Sequence, residues 1–360
     1  MFPARLISLL LFIFITGCAE DTPEQMLERY HQRLANSLDQ TARLDLQQPL
    51  PLPHYPKRRT RLIEVTEVRQ GLYEVLNLRH CQLLPLIAER NSSLGKVKQP
   101  SQQLIYEFKL YDGLRKCRSE LKQKPADPEL QQQIEEIWRI KRQNLPRVIW
   151  NSLYNSEEME RNFSLSEPAL AINGEDGFTA SMQALQRFEL LSALAYEHPA
   201  WQLPEYINDL EQDYGALYHN RYGSRWLRSI TQLTLTLKQS AAVIEDRLSQ
   251  RPLCFKQQAT PQAKIVLNVF QKFYAAQVQP YMARLDRQGK RWLEQHNLIL
   301  QNLAPVIPAS VKNYRQRILS TDLSSLSPAL WPDYISARDQ HTDAWQKLLG
   351  QCGLMPSTKK

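Results

Sequence analysis

The sequence predicts an all-α protein: an antiparallel multi-helix body joined to an extended, proline-rich N-terminal strap. Three observations predict it. Glycine is scarce, at 11 residues in 360, where an α/β sheet with glycine-rich turns would need more. Leu, Gln, Arg, Ala and Glu abound, and these residues disfavour a helix least. Apolar side chains recur in steps of three and four through most of the chain.

The first element is an export signal. Arg5 supplies a positive charge, Leu6 to Ile15 form an apolar run, and Thr16-Gly17 lead into Cys18. Charge, length and order are those of a secretory signal, and the run is too short to span a bilayer. Its end resembles a bacterial lipobox, which implies removal of residues 1–17 and acylation of Cys18. One acyl chain, at about 0.8 kcal/mol per buried methylene, holds a protein marginally, whereas three hold it almost permanently. Ala19 follows the cysteine where an aspartate would resemble an inner-membrane retention signal. The expectation is a protein anchored to the periplasmic face of the outer membrane. No later segment is apolar enough to cross a membrane.

Residues 18–56 are expected to form the lipidated tether, a first helix and the strap. Asp21-Thr22-Pro23 is a helix start, a capping side chain followed by proline in the first turn. Leu27, Tyr30, Leu34 and Leu38 then share a face. Leu46 to Pro56 carries four prolines and cannot be regular helix. Residues 57–354 are expected to form one helical domain. Its entry, 57–70, reads either as a short strand over Leu62-Ile63-Glu64-Val65 or as a surface passage behind a basic cluster. A helical pattern runs from Gly71 to Arg90, with Pro85 set to kink or break it. Residues 91–100 form a polar connection, and Ser101 is placed to cap a helix reaching Lys122. These two helices are expected to lie antiparallel.

Asp127-Pro128 starts another helix, with Leu130, Ile134, Ile137, Trp138 and Leu145 on one side. Residues 155–178 are polar, with a proline and two glycines, and read as a variable loop. Helical pattern resumes near Thr179. From Trp226 to Leu248 the residues Leu227, Ile230, Thr234, Leu237, Ala241, Ile244 and Leu248 form a heptad-like seam. Pro261 to Leu303 is a long helical segment bent near Pro280. Pro328 opens a last helix ending at Gln351, with Cys352-Gly353 as its stop. Residues 355–360 are a short basic tail. No internal repeat is visible at a fixed period.

The net charge is +8, one less once Arg5 leaves. Behind an export signal the available polyanions are acidic headgroups and cell-wall polymer, so no nucleic acid partner is expected. A well-solvated basic surface explains the charge more simply, since the charges are spread along helices. Lys57-Arg58-Arg59 with Arg61 is the one dense cluster, suited to anionic lipid at about 1 kcal/mol per charge, or to a solvated linker. Setting Cys18 aside leaves Cys81, Cys117, Cys254 and Cys352, which allow three connectivities. The favoured one is Cys81–Cys117 with Cys254–Cys352, because each pair stays within one half of the chain. Each bridge contributes about 3–5 kcal/mol in a chain-entropy model. No close C-x-x-C spacing points to redox chemistry.

Ser93-Leu94-Gly95-Lys96 fits the S-x-x-K motif of serine acyl transfer, but so does Ser119-Glu120-Leu121-Lys122, and no K-T-G partner follows. The seven histidines show no ligand spacing, so no metal or cofactor is expected. Trp138 and Trp226 lie on apolar helix faces and read as core.

Several blocks together resemble a known family. They are the lipobox with Cys18; Cys81 and then Ala88-Glu89-Arg90-Asn91-Ser92-Ser93-Leu94-Gly95-Lys96; Ser101 with Leu104-Ile105-Tyr106-Glu107; Leu145-Pro146 and Ile149-Trp150-Asn151; Arg251-Pro252-Leu253-Cys254-Phe255; Asn268-Val269 and Val278-Gln279-Pro280; and Gln351-Cys352-Gly353-Leu354. They are similar to the Gram-negative lipoproteins of domain of unknown function 3080, a resemblance that spans nearly the whole chain after the signal. It implies a lipoprotein and carries no activity with it. It makes the polar run at the helix junction, Glu89, Arg90, Asn91, Ser93 and Lys96, the candidate binding site, with capping of a helical turn as the plainer account.

Three functions remain open. A non-catalytic adaptor or binding protein would offer its body to an envelope protein or to cell-wall polymer, and a flat surface at the polar run favours it. A hydrolase of wall or lipid material needs a deep cleft joining two of these residues with a carboxylate from elsewhere. A carrier of apolar ligands needs a large cavity between helices.

Overall fold

The computed structural model describes residues 21–68, 78–93, 95–123, 128–196, 201–324 and 328–355, apart from the Lys96 side chain. Among them the regular structure is helical, and no strand occurs. The export signal, Cys18 and residues 356–360 lie outside the described residues.

The first helix, Pro23–Ser37, starts as its sequence requires. Thr22 Oγ1 accepts the Gln25 N–H at 3.2 Å, and the Gln25 side chain accepts the Thr22 N–H at 3.0 Å. This reciprocal arrangement satisfies two of the helix's orphan donors. Leu27, Tyr30, Leu34 and Leu38 are all fully buried, so the helix belongs to the core. It packs on Tyr222–Gln250, the central helix, which also carries Leu330–Gln351 along its length and Gln279–Asn302 across it. The central helix is buried on more than the expected seam: Ser224, Gln232, Leu233, Thr236 and Ser240 are inside as well as Ile230, Leu237 and Ile244. Neighbours on several sides replace the single apolar stripe of a surface helix.

Two glycines fix the crossing of the central helix with Gln279–Asn302. A Cβ on Gly289 would stand 2.2 Å from the Trp226 indole, and one on Gly223 would stand 2.6 Å from that of Trp292. Each tryptophan thus fills the space its partner helix leaves open, with the ring centres 5.4 Å apart. Trp226 Nε1 donates to the Leu285 carbonyl at 3.0 Å, which satisfies the buried indole N–H.

The long segment after Pro261 changes its winding just ahead of Pro280. Helix Pro261–Val269 passes into a π-helical stretch, Phe270–Val278, and then into Gln279–Asn302. Pro280 donates no N–H and its ring crowds the carbonyl four residues back. The wider winding before it accommodates the ring, and Gln279 N–H reaches the Tyr274 carbonyl five residues away.

Three histidines are buried in this body, and burial acts most strongly on two of them, His296 and His341. The His341 ring meets the Tyr30 hydroxyl at 2.6 Å, and that hydroxyl also accepts from Trp345 Nε1 at 3.0 Å. His296 Nδ1 lies 3.0 Å from the Tyr154 hydroxyl. Burial without a countercharge disfavours the imidazolium, and pushes both rings down to about 3.

One open alternative is resolved and three local expectations are revised. Pro85 breaks the pattern rather than kinking it: a 3-10 turn, Leu78–Cys81, is followed by Gln82 at positive φ and a new helix, Leu84–Asn91, with Pro85 in its first turn. That helix is too short to pair along Pro100–Gln123, whose antiparallel neighbour is instead Pro128–Leu153. Ser101 lies inside its helix, which starts at Pro100, and donates to Glu211 at 2.8 Å. Residues 155–178 are tied down despite their loop-like composition. Ser156 caps Glu157–Asn162, Glu167 pairs with Arg221 at 2.6 Å, and fully buried Leu170 bonds Ser229 through its N–H and Tyr281 through its carbonyl.

Candidate functional site

Asn144 and Asn151 lie seven residues apart in Pro128–Leu153, hence two turns apart on one face. Each amide reads the backbone of one residue in the extended segment 62–68. Asn151 Nδ2 donates to the Ile63 carbonyl at 2.7 Å, and its Oδ1 accepts the Ile63 N–H at 2.9 Å. Asn144 holds Thr66 the same way, at 2.7 and 3.1 Å. Between them Trp150 Nε1 donates to the Arg61 carbonyl at 2.8 Å and Arg147 to that of Glu64 at 3.3 Å. An extended chain without a sheet neighbour leaves its peptide groups unpaired, and here the helix supplies the partners from its side chains. The short strand considered for Leu62–Val65 is therefore an extended strand-like passage with a helix in place of a sheet.

Arg61 anchors the entrance to this segment. It is fully buried; its guanidinium donates to the Pro56 carbonyl at 2.6 Å and to Glu160 at 2.9 Å, and stands 4.2 Å from the centre of the Tyr55 ring. Planarity suits guanidinium to such combined pairing and stacking. The basic cluster is accordingly split: Arg61 turns inward, while Lys57, Arg58 and Arg59 remain exposed.

The opposite wall is stapled. A disulfide joins Cys81 to Cys117 in the helix Pro100–Gln123, with their Cα atoms 5.1 Å apart. The second disulfide, Cys254–Cys352, closes the far end of the body. Helix Leu84–Asn91 continues the stapled wall and buries none of its residues. Its C-terminus folds back through the polar run. Ser92 Oγ donates to the Glu89 carbonyl at 2.7 Å and accepts the Gly95 N–H at 3.0 Å, while Arg90 donates to the Gly95 carbonyl at 2.9 Å. A Cβ on residue 95 would stand 2.1 Å from the Glu89 carbonyl oxygen, so only glycine allows this approach. Glu89 pairs with Lys98 at 2.7 Å. Much of the run is thus spent closing a helix end.

Between the two walls lies a cleft of about 1130 Å³. Leu83, Leu110, Leu114, Ile137 and Val148 line its interior, and Leu62 and Val97 stand on its border, 60% and 74% exposed. A buried ion pair crosses the interior. Lys141 Nζ lies 3.0 and 2.9 Å from the two Glu107 oxygens, and Gln103 donates to one of them at 2.9 Å. Of the five candidate residues, Arg90 and Asn91 border this cleft; Glu89 and Ser93 are exposed and do not. The side chain of Lys96 lies outside the described residues. Ser119 and Lys122, the second S-x-x-K pair, are both exposed on their helix. Among the described residues no cluster of His, Cys, Asp or Glu could hold a metal, and no helix is long and apolar enough to cross a membrane.

Sequence reading missed Asn144 and Lys141, and named Glu107 only within the Leu104-Ile105-Tyr106-Glu107 block. Asn144 carried a signal, since it breaks an apolar face two turns before Asn151, a residue of the Ile149-Trp150-Asn151 block. The Glu107–Lys141 pair spans two helices and leaves no local pattern.

The molecule so far is an all-helical protein with two disulfides and a cleft walled on one side by the extended segment 62–68. The chain belongs to the family described as protein of unknown function (DUF3080), whose model matches residues 27–356. No curated protein and no solved structure matches it.

Proposed function

We propose that this protein is a cell-envelope lipoprotein, tethered through Cys18 to the periplasmic face of the outer membrane, that binds a ligand in the cleft without transforming it. The cleft carries this reading. Its volume slightly exceeds the roughly 300–1,000 Å³ of ordinary small-molecule sites, and its lining mixes aliphatic, amide and charged side chains. A flat face at the polar run would have favoured a large protein partner instead. Arg90 and Asn91 do share the cleft with a carboxylate from elsewhere, Glu107, as a hydrolase would require. Both Glu107 oxygens are held by Lys141, however, and one also by Gln103. These contacts occupy three of its roughly four lone-pair sites and leave one for a substrate proton. A carboxylate engaged so far with its neighbours fits binding better than catalysis.

A photo-crosslinking residue placed at Val97, on the border of the cleft, tests the reading in cells. Leu323, similarly exposed at 61% and outside the cleft lining, is the control. A discrete small adduct at Val97 and none at Leu323 is expected. Equal labelling of the two positions, or none at Val97, would rule the cleft out as a binding site.

A further inference from the structure

The longest stretch of the chain without an acidic residue runs from Arg247 to Leu285. It carries Arg247, Arg251, Lys256, Lys264, Lys272 and Arg284 against no Asp or Glu, in a chain with 37 acidic side chains. Arg251, Lys256, Lys264 and Lys272 are exposed, and none pairs with a carboxylate among the described residues. The carboxylates that border the stretch are mostly engaged: Asp21 by Arg29, Asp286 by Arg338 and Asp39 by Gln262, with Glu28 and Asp246 left exposed.

Exposed apolar side chains stand among these cations. Phe255 is 72% exposed and Ile265 56%. Phe255 opens a tight turn, closed by the Gln258 N–H on its carbonyl at 3.0 Å. Both central residues, Lys256 and Gln257, take positive φ, 49° and 57°, at positions that Asn and Gly normally occupy. Neighbours hold the turn in this conformation. Gln351 Oε1 accepts the Leu253 N–H at 2.7 Å, and Cys254 is bonded to Cys352. At Gly353, also left-handed, a Cβ would stand 2.9 Å from the Gln257 carbonyl oxygen. An aromatic ring held outside beside a lysine suits the boundary between water and lipid headgroups, where both kinds of side chain gather.

The stretch also lies where a tether would bring it to a membrane. It runs antiparallel to the first helix: Gln262 donates to the Ser37 carbonyl at 3.1 Å at that helix's end, and Arg29 donates to Gln277 at 3.1 Å toward its start. Cys18 precedes Asp21 by three residues, which span at most about 11 Å. We infer that the face from the Phe255 turn to Pro280 docks on the surface of an anionic phospholipid bilayer. Phe255 and Ile265 enter the headgroup layer, and Arg251, Lys256, Lys264 and Lys272 meet its charge. The inference rests on the proposed tether for its approach to the bilayer and adds the face that touches it. A soluble or wall-bound polyanion would answer the lysines and leave Phe255 and Ile265 in water.

The purified full-length protein, with p-benzoylphenylalanine in place of Phe255 or of Leu190, tests it on vesicles of phosphatidylcholine alone or mixed with phosphatidylglycerol. Leu190, 52% exposed on the helix Phe178–Ala193, is the control. Irradiation should give phospholipid adducts at position 255 on the anionic vesicles, roughly fivefold above those on neutral vesicles and above those at position 190. High salt should remove that excess. Lys256→Gln, Lys264→Gln and Lys272→Gln together should bring it to the neutral level, leaving the unfolding temperature within a few degrees. Equal labelling on the two kinds of vesicle, or no more at 255 than at 190 on the anionic ones, would overturn the docking face. Full retention of the anionic excess by the triple variant would remove the lysines from the account. The intact mass of the same protein reads the tether separately: missing acyl chains would overturn the tether, while the ratio of adducts at 255 and 190 still decides the face.

Discussion

The fully buried surroundings of Trp226 and the half-buried surroundings of Asn151 are held together by different physics. Around Trp226, two helices meet glycine against tryptophan in both directions, and buried apolar faces supply the cohesion. Around Asn151, an extended segment is fixed by amide, indole and guanidinium bonds to its backbone. The neighbouring helix Leu84–Asn91 buries nothing and depends on a disulfide close to its start. Packing scales with buried area and tolerates no added volume, whereas a hydrogen-bonded wall can open while the rest stays folded. The binding proposed for the cleft would use a wall of the second kind.

The largest expected effect falls on the body. His296 and His341 are pushed down to about 3 by burial, whereas an unfolded chain takes up these protons near pH 6.5. The unfolded state therefore binds more protons between those values, and stability falls as pH drops from 6.5 toward 3. A loss of several kcal/mol is expected, read from urea midpoints across that range. Gln substitutions at both histidines should flatten the profile, and a profile unchanged by them would place the acid sensitivity elsewhere.

A smaller effect comes from Gly289→Ala. The new methyl would stand 2.2 Å from the buried Trp226 ring, and overpacking at such a site costs about 3 kcal/mol. Thermal unfolding would show it as a drop of several degrees. A change below about 1 kcal/mol would mean that the two helices slide apart easily, and that body and wall differ less than their contacts suggest.

The body was largely legible in the sequence, because helices that bury an apolar face advertise it at a period of 3.6. Leu27, Tyr30, Leu34 and Leu38 showed it, as did Leu227 to Leu248, and the cysteines in each half paired as their spacing suggested. The wall was not. Backbone recognition by Asn144 and Asn151 is indifferent to the residues recognised, so Ile63 and Thr66 carry no mark of it. Arg61 stood in a run that looked like surface charge, and only the tertiary placement of Tyr55 and Glu160 shows that it is inside. The polar run from Glu89 was picked out correctly as a junction. Its two cleft residues, Arg90 and Asn91, could not be separated from its structural ones without the fold, because capping and binding use the same side chains.

The smallest effect in energy is the most direct test of the distinction. Replacing Asn144 and Asn151 together with Ala removes four hydrogen bonds to the segment 62–68, worth about 1 kcal/mol each. Hydrogen exchange of the full-length variant, followed amide by amide, should show loss of protection at Ile63 and Thr66 and unchanged protection across Tyr222–Gln250. Loss of protection throughout the central helix, in step with the segment 62–68, would contradict the account by making wall and body a single cooperative unit.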